Sequence, residues 1–190
     1  MIKLSNGKVN AAAFNNNGLA VDADGRVWDV HTGKVVKSYS SDLNGGYTAF
    51  DLNEKNQILF SSLSPSVKNS YLYGVDGGLI QLGFLGADLD NAGNVVGSVN
   101  GVKGSNAVIW RSEVNAVFDL NSYLSVGAQL VNATHINDKG WIVAQDRAGA
   151  SYLLKPVPLP ASGILFLSSL FGFLALQRKR INNLLKKIIN

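Results

Sequence analysis

The chain contains no cysteine, which excludes disulfides, thiolate zinc sites, iron–sulfur clusters and cysteine nucleophiles. Histidine is nearly absent as well, because only His31 and His135 could supply an imidazole for metal binding or general-base catalysis. The sequence has no Walker phosphate loop, no Gly-x-Ser-x-Gly motif and no paired acids at a diagnostic spacing. We therefore expect a protein that is not an enzyme and that needs no cofactor or metal.

Positive charge is also scarce outside one short segment. The net charge is +4, from 17 Lys and Arg against 13 Asp and Glu. Five of the cations lie in the last fourteen residues, which contain no acid, so residues 1–176 carry 12 cations against 13 anions. The body is close to neutral, which argues against nucleic acid as a partner.

Turn-forming residues are abundant, with 20 glycines and 20 asparagines. Short apolar runs alternate with Asn/Asp/Gly clusters, a pattern typical of β-hairpins. Aligning Gly18, Asn56, Gly93 and Gly140 places four such hairpins at spacings of 38, 37 and 47 residues. A third strand follows each hairpin, and in the first three cases a further turn and strand follow it. Four strands in roughly forty residues predict an all-β, β-propeller-like repeat within residues 10–155.

About four hairpin or blade units are few for a closed propeller. An incomplete ring, a sandwich and a truncated chain stay open as alternatives, as does chance recurrence in a turn-rich β protein.

Two segments of this region resemble a known repeat. The sequences "LDNAGNVVGS", "AVIWRSEVNAVFDLNSYL" and "INDKGWIVAQ" are similar to the HAF extracellular repeat, best over Ala87–Leu124 and in part over Ala133–Leu154. The unit at Phe50–Leu82 departs from the pattern, with Lys55-Asn56 where the hairpin glycine would stand. The resemblance implies a propeller-like architecture and says little about activity.

The composition changes at Pro156. Residues 156–160 form a Pro-rich linker, residues 161–176 an apolar run, and residues 177–190 a basic tail. The run, with the uncharged linker before it, is long enough to predict a single transmembrane α-helix. The cations Arg178, Lys179 and Arg180 then mark its cytoplasmic end. The alternative for the apolar run is a buried C-terminal helix of a soluble domain. For the tail after Arg180, an amphipathic helix at the membrane interface and a frayed end stay open.

The same segment, Val157–Arg180, resembles a PEP-CTERM sorting signal. Such signals combine a Val-Pro-x-Pro-Ala motif, a short hydrophobic helix and an Arg-rich end. The motif corresponds here to Val157, Pro158, Leu159, Pro160 and Ala161, with Leu159 where the family has Glu. The family's members are exported, whereas residues 1–7 show no apolar core of a signal peptide. A tail anchor with a cytoplasmic body is the alternative topology.

The resemblance implies an envelope protein processed by an exosortase, a membrane-embedded cysteine protease-transpeptidase. The chain would be held in the inner membrane with its tail in the cytoplasm, then reach the cell surface or the extracellular polysaccharide. Its partners would be the processing enzyme, the lipid bilayer and the polysaccharide. We expect a structural or adhesive role, with a glycan- or protein-binding module as the alternative.

The remaining polar motifs have ordinary structural explanations. The acid pairs Asp22/Asp24 and Asp88/Asp90 resemble the start of a calcium loop but lack its later ligands, so we expect hairpin tips. His31 is predicted in a turn and His135 at a partly exposed strand position. Three tryptophans recur at strand positions and are expected to pack in the core or between blades rather than to stack on sugars: Trp28, Trp110 and Trp141.

Overall fold

The computed structural model describes residues 11–39, 46–64, 69–74, 77–101, 104–124 and 127–157. The chain divides into two compact units, Met1–Lys155 and Pro156–Asn190. The first unit is all-β, as predicted. Its strands form four antiparallel sheets that follow one another along the chain.

The first two sheets each have four strands in chain order. The first contains β1 (Ala11–Phe14), β2 (Leu19–Asp22), β3 (Arg26–Asp29) and β4 (Lys34–Ser38). The second contains β5 (Tyr47–Leu52), β6 (Ile58–Ser62), β7 (Ser70–Tyr73) and β8 (Leu79–Gln81).

The third sheet repeats this order and the fourth has one strand fewer. The third contains β9 (Leu85–Leu89), β10 (Val95–Gly101), β11 (Gly104–Arg111) and β12 (Ala116–Asp119). A 3₁₀ turn at Leu120–Tyr123 leads to the fourth, which contains β13 (Leu130–Ile136), β14 (Ile142–Asp146) and β15 (Ser151–Leu154). The four sheets thus correspond to the four hairpin units predicted from the turn spacing.

Successive sheets pack face to face, and their first strands lie next to one another. Side chains alternate between faces with the two-residue period of a strand. In β10, for example, Val95 packs towards the second sheet and Val96 towards the fourth. Three apolar clusters result, one at each of the three sheet–sheet contacts. Among the described strands, no extensive contact joins the fourth sheet to the first, so the arrangement does not close into a ring.

The first hairpin of every sheet has the same local geometry. Its register shifts between Ala11 and Ala13 in the first sheet and at the corresponding place in the other three, and the fourth sheet has a second shift between Leu130 and Asn132. Its turn places one residue at positive φ, a glycine in three cases and Asn56, at φ 59°, in the second sheet. Asparagine tolerates this left-handed conformation better than most residues. The departure at Lys55-Asn56 therefore leaves the hairpin intact.

No helix among the described residues is both long and apolar enough to cross a bilayer. The predicted helix at residues 161–176, the linker from Pro158 and the tail at residues 177–190 all lie outside the described part of the chain.

Candidate functional site

The structure describes only the beginning of the predicted sorting motif. Val157 is 88% exposed, and Lys155 and Pro156 before it are exposed as well. The other motif residues and the basic cluster lie outside the described residues: Pro158, Leu159, Pro160, Ala161, Arg178, Lys179 and Arg180. The motif thus begins two residues after the end of the folded β unit at Lys155.

The acid pair at Asp22 and Asp24 is occupied by protein donors. Asp22 Oδ2 accepts from Arg26 Nε at 2.7 Å and from Trp28 Nε1 at 3.0 Å, while its Oδ1 accepts two backbone N–H groups of the turn. Asp24 Oδ2 accepts from Arg26 Nη2 at 2.8 Å. These carboxylates hold a hairpin and an ion pair. Among the described residues, no three His, Asp or Glu side chains are grouped to hold a metal ion.

The two histidines lie apart. His31 is in the β3–β4 turn, where Asp29 Oδ1 accepts its backbone N–H at 2.7 Å. The backbone N–H groups of Thr32 and His31 lower the pKa of Asp29. His135 is exposed on β13, with Nδ1 at 3.1 Å from Thr134 Oγ1. Neither imidazole lies in a cluster of catalytic groups among the residues described.

The tryptophans fall into two groups. Trp28 and Trp110 are buried, at 7% and 4% exposure, whereas Trp141 is 37% exposed. The Nζ atoms of Lys155 and Lys139 lie 4.4 Å and 5.8 Å from the Trp141 ring centroid. The expectation of core packing thus holds for two of the three.

The structure reveals a polar network that the sequence reading did not anticipate. It joins the tips of the four first hairpins, and we call it the tip ladder. In each tip an Asx side chain accepts the backbone N–H four residues later: Asn15, Asn53, Asp90 and Asn137 are these Asx residues. The residue after each of the first three bonds to its counterpart in the next tip, so that Asn16 meets Glu54, Glu54 meets Asn91 and Asn91 meets Asp138.

The rungs of the tip ladder all run in one direction. The backbone N–H of Asn16 donates to Glu54 Oε2 at 3.0 Å, that of Glu54 to Asn91 Oδ1 at 2.8 Å, and that of Asn91 to Asp138 Oδ1 at 2.9 Å. Asn15 Nδ2 and Asn53 Nδ2 also donate across, to the backbone oxygens of Asn53 and Asp90. A polar residue follows the Asx residue in all four turns of the sequence, and this recurrence could have indicated the tip ladder. The bonding partner of each such residue, however, lies 37 to 47 residues away along the chain.

A second inter-sheet contact involves two carboxyl groups on the first strands. Asp51 Oδ2 accepts the N–H of Leu89 at 3.0 Å, and Asp88 Oδ2 accepts the N–H of Ile136 at 2.7 Å. Burial, together with a hydrogen bond to Asp88, raises the pKa of Asp51 to about 6. Both carboxyl groups accept a backbone N–H of the following sheet, so they hold neighbouring sheets together.

A cavity of about 250 Å³ lies between the first and second sheets. Apolar residues form much of its wall, including Leu19, Val27, Leu52 and Ile58, and Lys37, Tyr39 and Asn56 add polar groups. The ring of Tyr39 lies 4.0 Å from that of Tyr73, and Lys37 Nζ sits over both. The cavity is at or below the small end of the range for ligand sites.

Comparison with known proteins adds little. No family model matches the chain, and no curated protein matches it. Among solved structures, the crystal structure of the computationally designed Ika4 protein is similar to 82% of this chain and 96% of its own, at 15% identity and a TM-score of 0.49. We draw no conclusion about fold or function from a likeness at this level.

Proposed function

We propose that this chain is an exported protein of the cell surface or exopolysaccharide, with a structural or adhesive role and without catalysis. It is sorted and cleaved by an exosortase-type enzyme at its PEP-CTERM-like signal, Val157–Arg180. Its body is a propeller-like array of blades related to HAF repeats. The four successive antiparallel sheets, packed face to face, support this description of the body.

One observation carries the sorting proposal. The folded unit ends at Lys155, and Val157, the first residue of the motif, is 88% exposed. Prolines at positions 156, 158 and 160 favour an extended backbone. A processing enzyme at the membrane face would meet an accessible, extended peptide, with the apolar run and Arg178-Lys179-Arg180 holding the chain in the membrane.

The test is co-expression of the full chain with an exosortase, with intact mass of the surface protein as the readout. We expect a product that ends within or near the Pro-rich segment. The double substitution Pro158→Ala/Pro160→Ala should abolish processing, and Pro65→Ala, the matched control, should leave it unchanged. An intact C-terminus on mature surface protein would refute the proposal.

A binding function is the second candidate, and Trp141 is the observation that favours it. An exposed indole beside Lys139 and Lys155 suits an acidic sugar. The burial of Trp28 and Trp110 counts against a groove of several exposed aromatic rings. If the module binds acidic polysaccharide through this group, Trp141→Ala should reduce binding at least about tenfold, a loss of roughly 1.4 kcal/mol. Tyr123→Ala, another exposed aromatic position, is the control.

A further inference from the structure

We propose that the cavity between the first and second sheets binds a small carboxylate that carries one apolar ring, a molecule of the benzoate class. The described residues that line it belong neither to the C-terminal signal nor to the group around Trp141. The proposal therefore stands whether or not the protein is sorted or binds polysaccharide. The cavity combines apolar walls with three groups that can donate hydrogen bonds to an anion.

The cavity marks a place where the first pair of sheets packs differently from the second pair. Leu19 and Gln57 are equivalent residues, because each follows the residue at positive φ in its hairpin turn. Between the second and third sheets, the Gln57 side chain covers Gly93, where a Cβ atom would lie only 2.9 Å from Gln57 Oε1. Between the first and second sheets, Leu19 and Asn56 hold these two positions, and both line the cavity. The place that Gln57 fills in one interface is thus left open in the other.

The apolar part of the cavity suits a single ring. Its walls include four apolar side chains: Leu19, Val27, Leu52 and Ile58. A cavity of about 150 Å³ lined by Leu, Ile and Phe is large enough for benzene. The present cavity, of about 250 Å³, therefore has room for a six-membered ring with a short polar substituent. Val36 also lines it and is 56% exposed, which indicates an opening to solvent beside β4.

Tyr39 brings a buried polar group to this cavity. The residue is only 6% exposed, and its hydroxyl forms no hydrogen bond with another residue in the described part of the chain. Buried polar groups in proteins nearly always have a partner. Every fully enclosed polar side-chain atom among the described residues has one, so this hydroxyl retains some accessible surface, as expected of an atom that faces a cavity. A ligand in the cavity would supply its partner.

Two further donors line the cavity. Asn56 Oδ1 accepts from Asn15 Nδ2 at 2.8 Å and from Asn17 Nδ2 at 3.1 Å, which fixes the orientation of the Asn56 amide. Its Nδ2 is left as a donor that bonds to no other described residue. Lys37 Nζ lies 4.6 Å from the centroid of the Tyr39 ring, so this ring holds a positive charge beside the cavity.

These polar groups determine the class of ligand. An ammonium group and an amide NH₂ only donate hydrogen bonds, and a tyrosine hydroxyl can donate as well. Among the described residues, no carboxylate lines the cavity. A head group that only accepts hydrogen bonds and carries negative charge complements Lys37, Tyr39 and Asn56, and a carboxylate has both properties. The ring of the ligand would pack against the apolar walls, with its carboxylate towards these three residues.

The test is a titration of the full chain, in non-ionic detergent, with benzoate. Carbon-13 methyl NMR spectra of the protein report both the affinity and the place of binding. We expect a dissociation constant of about 1 mM or lower, with shifts at the methyl groups of Leu19, Val27, Leu52 and Ile58. Acetate, which has the head group alone, and benzamide, a neutral molecule of the same shape, should each bind at least about tenfold more weakly.

Substitutions separate the apolar wall from the donors. Leu19→Trp should fill the cavity and abolish binding, and the hairpin accepts an indole there, because Trp141 holds the equivalent position in the fourth sheet. Tyr39→Phe removes only the hydroxyl and should weaken benzoate binding about fivefold. Tyr123→Phe, at a tyrosine that is 66% exposed, is the matched control and should not change it.

The charge of the lysine is tested in the same way. Lys37→Met should weaken the binding of benzoate and leave that of benzamide unchanged, whereas Lys34→Met, on the same strand, should affect neither. Circular dichroism shows whether each variant retains the fold.

Three results would overturn the proposal. In natively folded protein, the absence of shifts at the four wall residues would show that the cavity does not bind the probe. Equal affinity of the Leu19 variant and the unsubstituted protein would place the binding elsewhere. If benzamide binds as tightly as benzoate, the site recognises the ring without the charge, and the assignment of a carboxylate is wrong.

Discussion

The third and fourth sheets have closely similar first hairpins but different surroundings. Asp90-Asn91-Ala92-Gly93 and Asn137-Asp138-Lys139-Gly140 form the same turn, with the same backbone bonds and the same bond from the N–H four residues later to the Asx side chain. The third sheet has neighbours on both faces, so Val96 and Ile109 are buried, whereas their counterparts in the fourth sheet, Val143 and Leu153, are not fully covered. The comparison shows that the local sequence determines the conformation of the hairpin. Whether its apolar side chains are buried depends instead on a neighbouring sheet.

The largest effect on stability should come from truncating apolar side chains at equivalent positions of the third and fourth sheets. Ile109→Ala should cost about 3 kcal/mol of unfolding free energy, because it leaves a cavity in a closed core, and Leu153→Ala less than about 1 kcal/mol. Urea unfolding of both variants, followed by circular dichroism, measures the difference. Val96→Ala and Val143→Ala repeat the comparison with an identical chemical change, and equal costs within either pair would contradict it.

The second-largest effect should be a dependence of stability on pH that comes from Asp51 on β5. The pKa of Asp51 is about 6 in the folded chain against an ordinary 3.8, so between these values the folded state holds the extra proton. Stability should therefore fall as pH rises from about 4 to 6 and then level off, losing on the order of 2 kcal/mol after allowance for solvent screening.

Asp51→Asn should remove that decline, because the amide keeps an acceptor for the Leu89 N–H and carries no charge. Urea midpoints at pH 4, 5, 6 and 7 measure it. Asp146→Asn, at a half-buried acid of the fourth sheet, is the control and should leave the decline in place. A decline of the same size in the Asp51 variant would show that another group is responsible.

Removing a bond of the tip ladder should have a smaller effect on stability. Asn53→Ala should cost about 1.5 kcal/mol, because it removes the bonds of its own turn and the bond from Nδ2 to the Asp90 oxygen. Asn137→Ala removes only the bonds of its own turn and should cost about half as much. Thermal unfolding of the two variants separates the inter-sheet bond from the turn. If both lose the same stability, the ladder contributes nothing measurable.

The smallest effect concerns the hairpin turn itself. Gly140 has φ 70°, so Gly140→Ala should cost about 1 kcal/mol, and Gly140→Asn less, because Asn56 adopts this conformation at φ 59° in the second sheet. Thermal unfolding again provides the readout. A cost for asparagine as large as that for alanine would argue that the second hairpin depends on other contacts of Asn56.

Much of the fold could be predicted because its signals are local. Turn residues recur at Gly18, Asn56, Gly93 and Gly140, and apolar strands flank each turn, so the hairpins and the all-β class follow from short-range preferences. The burial of Trp28 and Trp110 also follows from apolar strand positions. The exposure of Trp141 does not, because burial depends on residues that are distant in the sequence.

The candidate site was less accessible to sequence reasoning. The proposed sorting motif rests on a resemblance that a sequence can carry because the residues concerned are contiguous. The tip ladder could not, because each rung joins residues in different sheets whose side chains are otherwise ordinary turn formers. Asp51 and Asp88 likewise look like solvated strand residues until the packing of β5 on β9 brings them together.

By itself the sequence determined the hairpin turns, the strand periodicity and the boundary at Pro156, since each depends on conformational preferences within a few residues. Only the tertiary structure decided which apolar pair is covered and which hairpin tips are bonded to one another. Burial and inter-sheet hydrogen bonds depend on neighbours distant in sequence. Val96 and Val143 therefore occupy equivalent positions in the sequence pattern, yet Val96 is buried and Val143 is only half-buried.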